Sequence, residues 1–289
     1  MHVIDNYSEI KKLFLDILDM SKTITFLINS KNDLKYNNDP DIFGVVMFTR
    51  IYTISDSIRK LLPNDINHKD EYPDYNSIFS LSRNLIECVE SLFYISFDVN
   101  DLNTKKFRLT YFNFFNFRIW IDHFKKIGDK EKRSEYISAK RDAIFLIQSN
   151  PIFMMLGNSD RKAFIKAKYK FFGYSRASLA KKMNYIDEDL YLESHYMFSA
   201  SAHSYPPSLY PMAYRSFNSK EGMQWEIEDI STALRISSLY LAKTSKNMVK
   251  NIMTNIKFIY EQLSEHEKET LIKIRSRLDW LIEMSNFKG

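Results

Sequence analysis

The stretch SHYMFSASAHSYPP, residues 194–207, places His195, Ser199 and His203 at four-residue intervals with Tyr196 beside them, then meets two prolines. On an ideal helix each residue advances about 100°, so the three side chains fall within one arc of about 80°. Such a face could chelate a metal, activate a serine or form a buried polar network. Eight residues at about 1.5 Å rise set the two histidines roughly 12 Å apart along the axis, whereas chelating pairs such as H-E-x-x-H sit one turn apart. One ion could use either histidine but not easily both, so no metal and no cofactor is expected. Ser199 and His203 have the i, i+4 spacing of a hydrogen bond. A serine nucleophile also needs an orienting acid and an oxyanion hole, and the chain has no G-x-S-x-G elbow. The small residues Ser194, Ala200, Ser201 and Ala202 let neighbouring helices come close. The helix is therefore expected inside a bundle, with its polar groups hydrogen-bonded.

A second set of candidates lies in SRNLIECVESLFY, residues 82–94. Arg83, Glu87, Glu90 and Tyr94 share one narrow helical face, and Leu85, Ile86, Val89, Leu92 and Phe93 cover most of the rest. Two readings stay open. The face is either solvent-exposed, with an Arg–Glu pair worth a few tenths of a kcal/mol, or it turns inward to meet the histidine helix. A third match, RIWIDH at 118–123, has the Arg-x4-His spacing of helical HEPN nucleases, in which Arg and His on one helix serve 2′-hydroxyl attack on RNA. Arg118 and His123 would carry that chemistry. Ile119 departs from the polar residue that usually follows the Arg, and the motif is short enough to arise by chance.

The elements that position these residues follow from composition and periodicity. In 289 residues, 45% are hydrophobic and 15% aromatic, with 22 Phe and 18 Tyr against only 6 Gly and 7 Pro. Folds of many short strands need a turn every ten residues or so, so this chain is read as long helices with few loops. The single cysteine, Cys88, excludes an internal disulfide or a Cys-based zinc site, and its apolar surroundings mark it as a small buried hydrophobe. The opening MHVIDNYSEIKKLFLDIL lacks the basic-then-apolar order of a signal peptide. No run approaches the roughly 18 apolar residues of a membrane span. A cytoplasmic protein with no membrane partner is expected. The net charge of +5 is mild, and the basic residues are dispersed.

Helical spacing covers residues 5–30. Asp39 then reads as an N-cap with Pro40 in the first turn, and that helix stops before Pro63. Further helices are expected at 75–97, 101–127 and from Asp129 to Pro151. The 101–127 helix is aromatic nearly all round and is therefore placed at the centre. Shorter pieces lead to the histidine helix at 186–204, a Tyr- and Pro-rich loop at 204–222, and a long helix at 223–262. Ser264 with Glu267 forms a capping box for the last helix. The expectation is one all-α domain of eight to nine helices over 1–289: N-terminal helices to 70, a core at 75–210 and a C-terminal pair at 223–285.

Two segments together resemble a known bacterial family. LSRNLIECVESLFYI is similar to its R-x-[LI]-x-E-x-x-x-x-x-x-Y-[IL] helix. YSRASLAKKMNYIDEDLYLESHYMFSASAHSYP is similar to its later segment, a short S-[IL]-x-x-[LM]-A-x-K helix followed by Y-x-x-x-S-x-x-x-H and a proline. This is domain of unknown function family 5677, and the resemblance runs from about 75 to 210. Phe198 stands where the family often has Leu. The resemblance implies an all-helical fold, supplies no established activity, and places Arg83, Glu87, Tyr94, Tyr196, Ser199 and His203 on the family's polar positions.

The leading expectation is therefore a polar cleft between two helices, taking an unknown small anionic ligand. Arg83 would bind the anion, with Tyr196 and Tyr94 beside it. His203, Glu87 and Ser199 would supply acid–base or hydrogen-bonding capacity, and His195 would be a neighbour. Alternatives are a HEPN-like ribonuclease, toxin or phage-defence effector acting on RNA, and a non-enzymatic interaction protein using the 204–222 loop. Whether the chain is an enzyme stays open, and a homodimer is compatible with all three.

Overall fold

A computed structural model of the chain describes residues 3–31, 39–63, 74–166, 170–202 and 220–285. Within them lie twelve α-helices and one π-helical turn, and no strand. The expected eight or nine helices are all present. The excess comes from one-turn pieces, α6 (Pro151–Met154) and α11 (Lys257–Tyr260), and from the short α7 (Asn158–Ile165) and α8 (Arg176–Met183).

Local chemistry explains the ends. Before α2 (Pro40–Leu61) the Asp39 carboxylate accepts from the backbone N–H groups of Asp41 and Ile42, with Pro40 in the first turn, which satisfies donors that the helix start leaves open. At the start of α12 (Glu265–Ser285) the capping box is reciprocal. Glu267 Oε2 accepts from the Ser264 N–H at 2.8 Å, and the Glu267 N–H donates to Ser264 Oγ at 3.3 Å.

The central element is α10 (Lys220–Thr254), not the aromatic helix α4 (Leu102–Ile127). Against α10 pack α1 (Val3–Asn29), α3 (Tyr75–Leu92) and α12. Residues 236–245 of α10 are buried on every side except at Lys243. Serines make that closeness feasible: Ser245 Oγ meets Ser21 Oγ of α1 at 2.8 Å, and Ser237 Oγ donates to Ser82 Oγ of α3 at 3.0 Å. Small side chains let the backbones approach, and the Ser237 and Ser245 hydroxyls find partners across the contact. The expected central place for α4 is thereby corrected. Its rings pack chiefly against α5 (Lys130–Gln148), α6 and α7, and only its first half, to Phe114, holds buried residues. That half joins α5, α6 and α7 in a second aromatic core around Tyr111, Phe114, Ile147 and Phe164.

Between α3 and α4 the π turn Phe93–Phe97 is closed by an i→i+5 bond, the Asp98 N–H donating to the Phe93 carbonyl at 2.9 Å. It leads Asp98 into a buried ionic knot. Asp98 accepts from Arg108 Nη1 at 2.6 Å and from Tyr174 at 3.3 Å, and pairs with Lys182 at 2.7 Å. This knot joins α3, α4 and α8. Among the described residues no helix is long and apolar enough to cross a membrane.

Candidate functional site

The face of α3 that bears Arg83 and Glu87 turns inward as it runs toward its C-terminal end. Arg83 and Glu87 are partly exposed, whereas Glu90 is wholly buried. This settles the two readings of that face against a plain exposed stripe. Across from it stand α8 and α9 (Glu188–Ala202). Ser175 caps α8 by accepting from the Ser178 N–H, and that cap starts the helix with Arg176.

Arg176 is the hub. Its Nη2 donates to Glu87 Oε1 at 2.8 Å, and its Nη1 donates to Nε2 of His195. Arg83 Nε donates to the same Glu87 oxygen at 3.2 Å. Two guanidiniums therefore share one carboxylate oxygen. Burial works against the charge on Glu87, but Arg176, with Lys170 and Arg83, holds its carboxyl below the usual range. One turn on, Glu90 accepts from the Tyr191 hydroxyl at 2.6 Å, and its second oxygen lies 3.7 Å from Arg176 Nε. Here burial prevails over Tyr191 and Arg176, and the Glu90 carboxyl is pushed up. Lys170 faces both glutamates, and burial pulls its ammonium down despite their attraction.

The contacts of His195 fix its proton. A guanidinium can only donate, so Nε2 accepts and the ring hydrogen sits on Nδ1, which lies 3.4 Å from Ser199 Oγ. Burial, then the charges of Arg176 and Arg83, lower its affinity for a second proton, against the pull of Glu87. The ring is thus neutral near pH 7. A serine facing an N–H is not activated as a nucleophile, because no lone pair is available to take its proton. Nitrogen-15 chemical shifts of His195 near neutral pH should report the Nδ1–H tautomer. The Nε2–H tautomer, or a doubly protonated ring, would contradict this geometry.

Of the residues singled out from sequence, the structure brings together Arg83, Glu87 and Ser199. His195, expected only as a neighbour, makes the contacts that link Ser199 to Arg176. His203 and the 204–219 part of the loop lie outside the described residues. Tyr196 is 65% exposed at the rim. Tyr94 joins a different network: its hydroxyl accepts from the Phe172 N–H at 3.1 Å, and the Arg108 guanidinium lies 4.6 Å over its ring. Arg118 and His123 sit exposed on α4, about 140° apart around the helix. Arg118 donates weakly to the Lys166 carbonyl at 3.5 Å, and the His123 ring packs on Trp120 and Phe124. Cys88 is half-buried, with its thiol pushed up by burial, which makes it unreactive.

Sequence reasoning missed Arg176, Tyr191 and Lys170 as participants, and it placed Glu90 on the α3 face without giving it a role of its own. The usable signal for Arg176 was SRAS, a cap followed by a cation at the start of a short helix. Among the described residues no group of three His, Cys, Asp or Glu side chains is placed to hold a metal ion. A cavity of about 420 Å³ lies elsewhere, between the π turn and α10, lined by Ser96, Asn100, Asn247, Lys250 and Asn251.

A family model described as a family of unknown function, DUF5677, matches residues 41–224, a span that takes in α2 to α9 and every member of this cluster. No curated protein and no solved structure matches the chain.

Proposed function

The chain belongs to the DUF5677 family, and on that premise we propose that the cleft between α3, α8 and α9 binds a small anionic ligand bearing a phosphate or carboxylate group. One observation carries this reading: Arg83 and Arg176 converge on a single oxygen of Glu87. Glu87 thereby occupies the place that an external oxyanion would take. Guanidinium groups suit such an oxyanion because their planar N–H forks match its geometry. Lys170 adds positive potential, and Glu90, held toward its neutral form, subtracts little. The anion would displace Glu87 from the two arginines and take a further hydrogen bond from the cleft rim, where Ser199 and the exposed Tyr196 stand.

The His195 tautomer favours recognition over serine chemistry. In the resting arrangement the imidazole is engaged at both nitrogens, so the site binds first. Acid–base work would require Arg176 to leave Nε2 for the ligand, which frees that nitrogen to accept a proton.

Isothermal titration of the purified chain with inorganic phosphate, sulfate and acetate tests the proposal. Saturable binding of at least one of them at neutral pH, weakened by added salt as paired charges require, is the expected outcome. Absence of heat and of any thermal shift with all three would overturn it.

A further inference from the structure

The cavity of about 420 Å³ between the π turn and α10 takes no part in the anion cleft, and its volume lies in the range of small-molecule sites. Both of its walls stand where a regular helix gives way. On one side the π turn Phe93–Phe97 widens to an i→i+5 bond, a distortion frequent at functional sites. On the other, α10 ends as the N–H groups of Asn255 and Ile256 both donate to the Asn251 carbonyl, at 2.8 and 3.0 Å.

The polar groups on the α10 wall are unevenly satisfied. Asn247 and Asn251 line the cavity one helical turn apart and so share a face. Asn247 donates its Nδ2 to the Tyr185 hydroxyl at 2.7 Å, which leaves its Oδ1 to accept. Asn251 Oδ1 accepts from Asn255 Nδ2 at 2.6 Å. Asn251 Nδ2, in contrast, is buried without an acceptor, in a residue only 3% exposed. An open buried donor is costly, and a small turn of the carboxamide toward an acceptor held in the cavity removes that cost. The opposite wall supplies the rings of Phe93 and Phe97.

We propose that this cavity binds an adenine nucleotide, with the ring against Phe93 and Phe97, its edge read by Asn247 and Asn251, and its phosphate met by Lys250. Three features select that ligand. The asparagine pair offers one acceptor and one donor side by side, and adenine presents the matching N6 amino group and N7 lone pair. Guanine presents two acceptors on that edge, and cytosine and thymine one polar group each. The phenyl rings give a flat heterocycle a stacking surface. Lys250 is the exposed cation on the lining and suits a phosphate as a point charge. Among the described residues that line the cavity there is no carboxylate, which argues against a divalent cation.

Equilibrium dialysis of the purified full chain against labelled adenosine tests the base contacts without a phosphate. Saturable retention of about one adenosine per chain is expected, weakened about tenfold or more in Asn251→Leu, as the loss of one base-edge pairing implies. If that variant does not fold, competition on the wild-type chain decides: unlabelled adenosine should displace the label, and guanosine and uridine should not. AMP should bind several-fold more tightly than adenosine, and Lys250→Ala should erase that gain. Both are measured in the Arg176→Ala background, so that the anion cleft contributes nothing. No retention at millimolar adenosine would show a water-filled hollow only and overturn the proposal. So would equal displacement by guanosine or uridine, undiminished binding in a folded Asn251→Leu chain, or an AMP gain that survives Lys250→Ala. Adenosine carries no anion, so its failure to bind leaves the arginine cleft untouched.

Discussion

Arg108→Ala is expected to lower folding stability by about 3–5 kcal/mol, read from urea denaturation at neutral pH, because it breaks a buried ion pair and leaves a carboxylate behind. Asp98 is only 1% exposed, and Arg108 Nη1 approaches it at 2.6 Å while also donating to the Tyr94 carbonyl at 2.7 Å. Alanine removes both bonds and the cation over the Tyr94 ring together. Lys182 stays on the other carboxylate oxygen, which places the loss toward the lower end of that range. A change within about 1 kcal/mol, as at ordinary surface positions, would show that the knot is decorative. The same knot predicts an acid limb. Burial opposes the Asp98 charge, but the hydrogen bonds of Lys182 and Arg108 hold its carboxyl below the ordinary Asp value. A carboxyl depressed in the folded state contributes stability above its unfolded pKa and loses it as pH falls through the folded value. Asp98→Asn should therefore be less stable than wild type at neutral pH and should flatten the acid side of the stability profile. An unchanged acid slope would contradict the assignment.

The second large effect concerns ligand binding, and its sign carries the information. Arg176→Ala should weaken phosphate binding about 10–100-fold, the loss of one charge-assisted hydrogen bond of about 1.5–3 kcal/mol. Arg176→Lys should recover only part of it, since an ammonium cannot reproduce the fork. Glu87→Gln should act in the opposite direction. If the Glu87 carboxylate holds the arginines that an external anion would take, neutralising it removes a competitor and tightens binding. Were Glu87 instead a direct partner of the ligand, the same substitution would weaken binding. Titration of the three variants side by side distinguishes the two, and weakened binding in Glu87→Gln would sink the displacement scheme.

How much of this was legible in the sequence depended on how local its cause was. The N-cap at Asp39, the turn at Pro63 and the Ser264–Glu267 box depend on groups two or three residues apart, and they lie where spacing put them. The all-helical fold followed from scarce Gly and Pro. Which helix is central depended on contacts between distant segments. The aromatic richness of α4 pointed the wrong way, because packing density at a bundle's axis favours small residues such as Ser237 and Ser245. The site was half legible for the same reason. Arg83 and Glu87 share one helix, but their partner Arg176 arrives from a helix about ninety positions later, and no periodicity connects the two. The choice between His195 and His203 rested on a face they share, and only the position of Arg176 brings His195 into the cluster.

The π turn at Phe93–Phe97 has a consequence for anyone counting along α3. It accommodates one residue more than an α-helix would over the same height, so it acts as a phase shifter. A pattern extrapolated from Arg83 through Glu90 arrives at Tyr94 just where the helix changes pitch, and the side chain is delivered to the Arg108 network instead. Removing one residue from that turn would keep the chain helical while rotating everything after it by about 100°. Asp98 would then no longer face Arg108 or Lys182, and the short α8 that presents Arg176 would lose its tether. The chain is therefore less tolerant of a change in length here than of most changes in side chain.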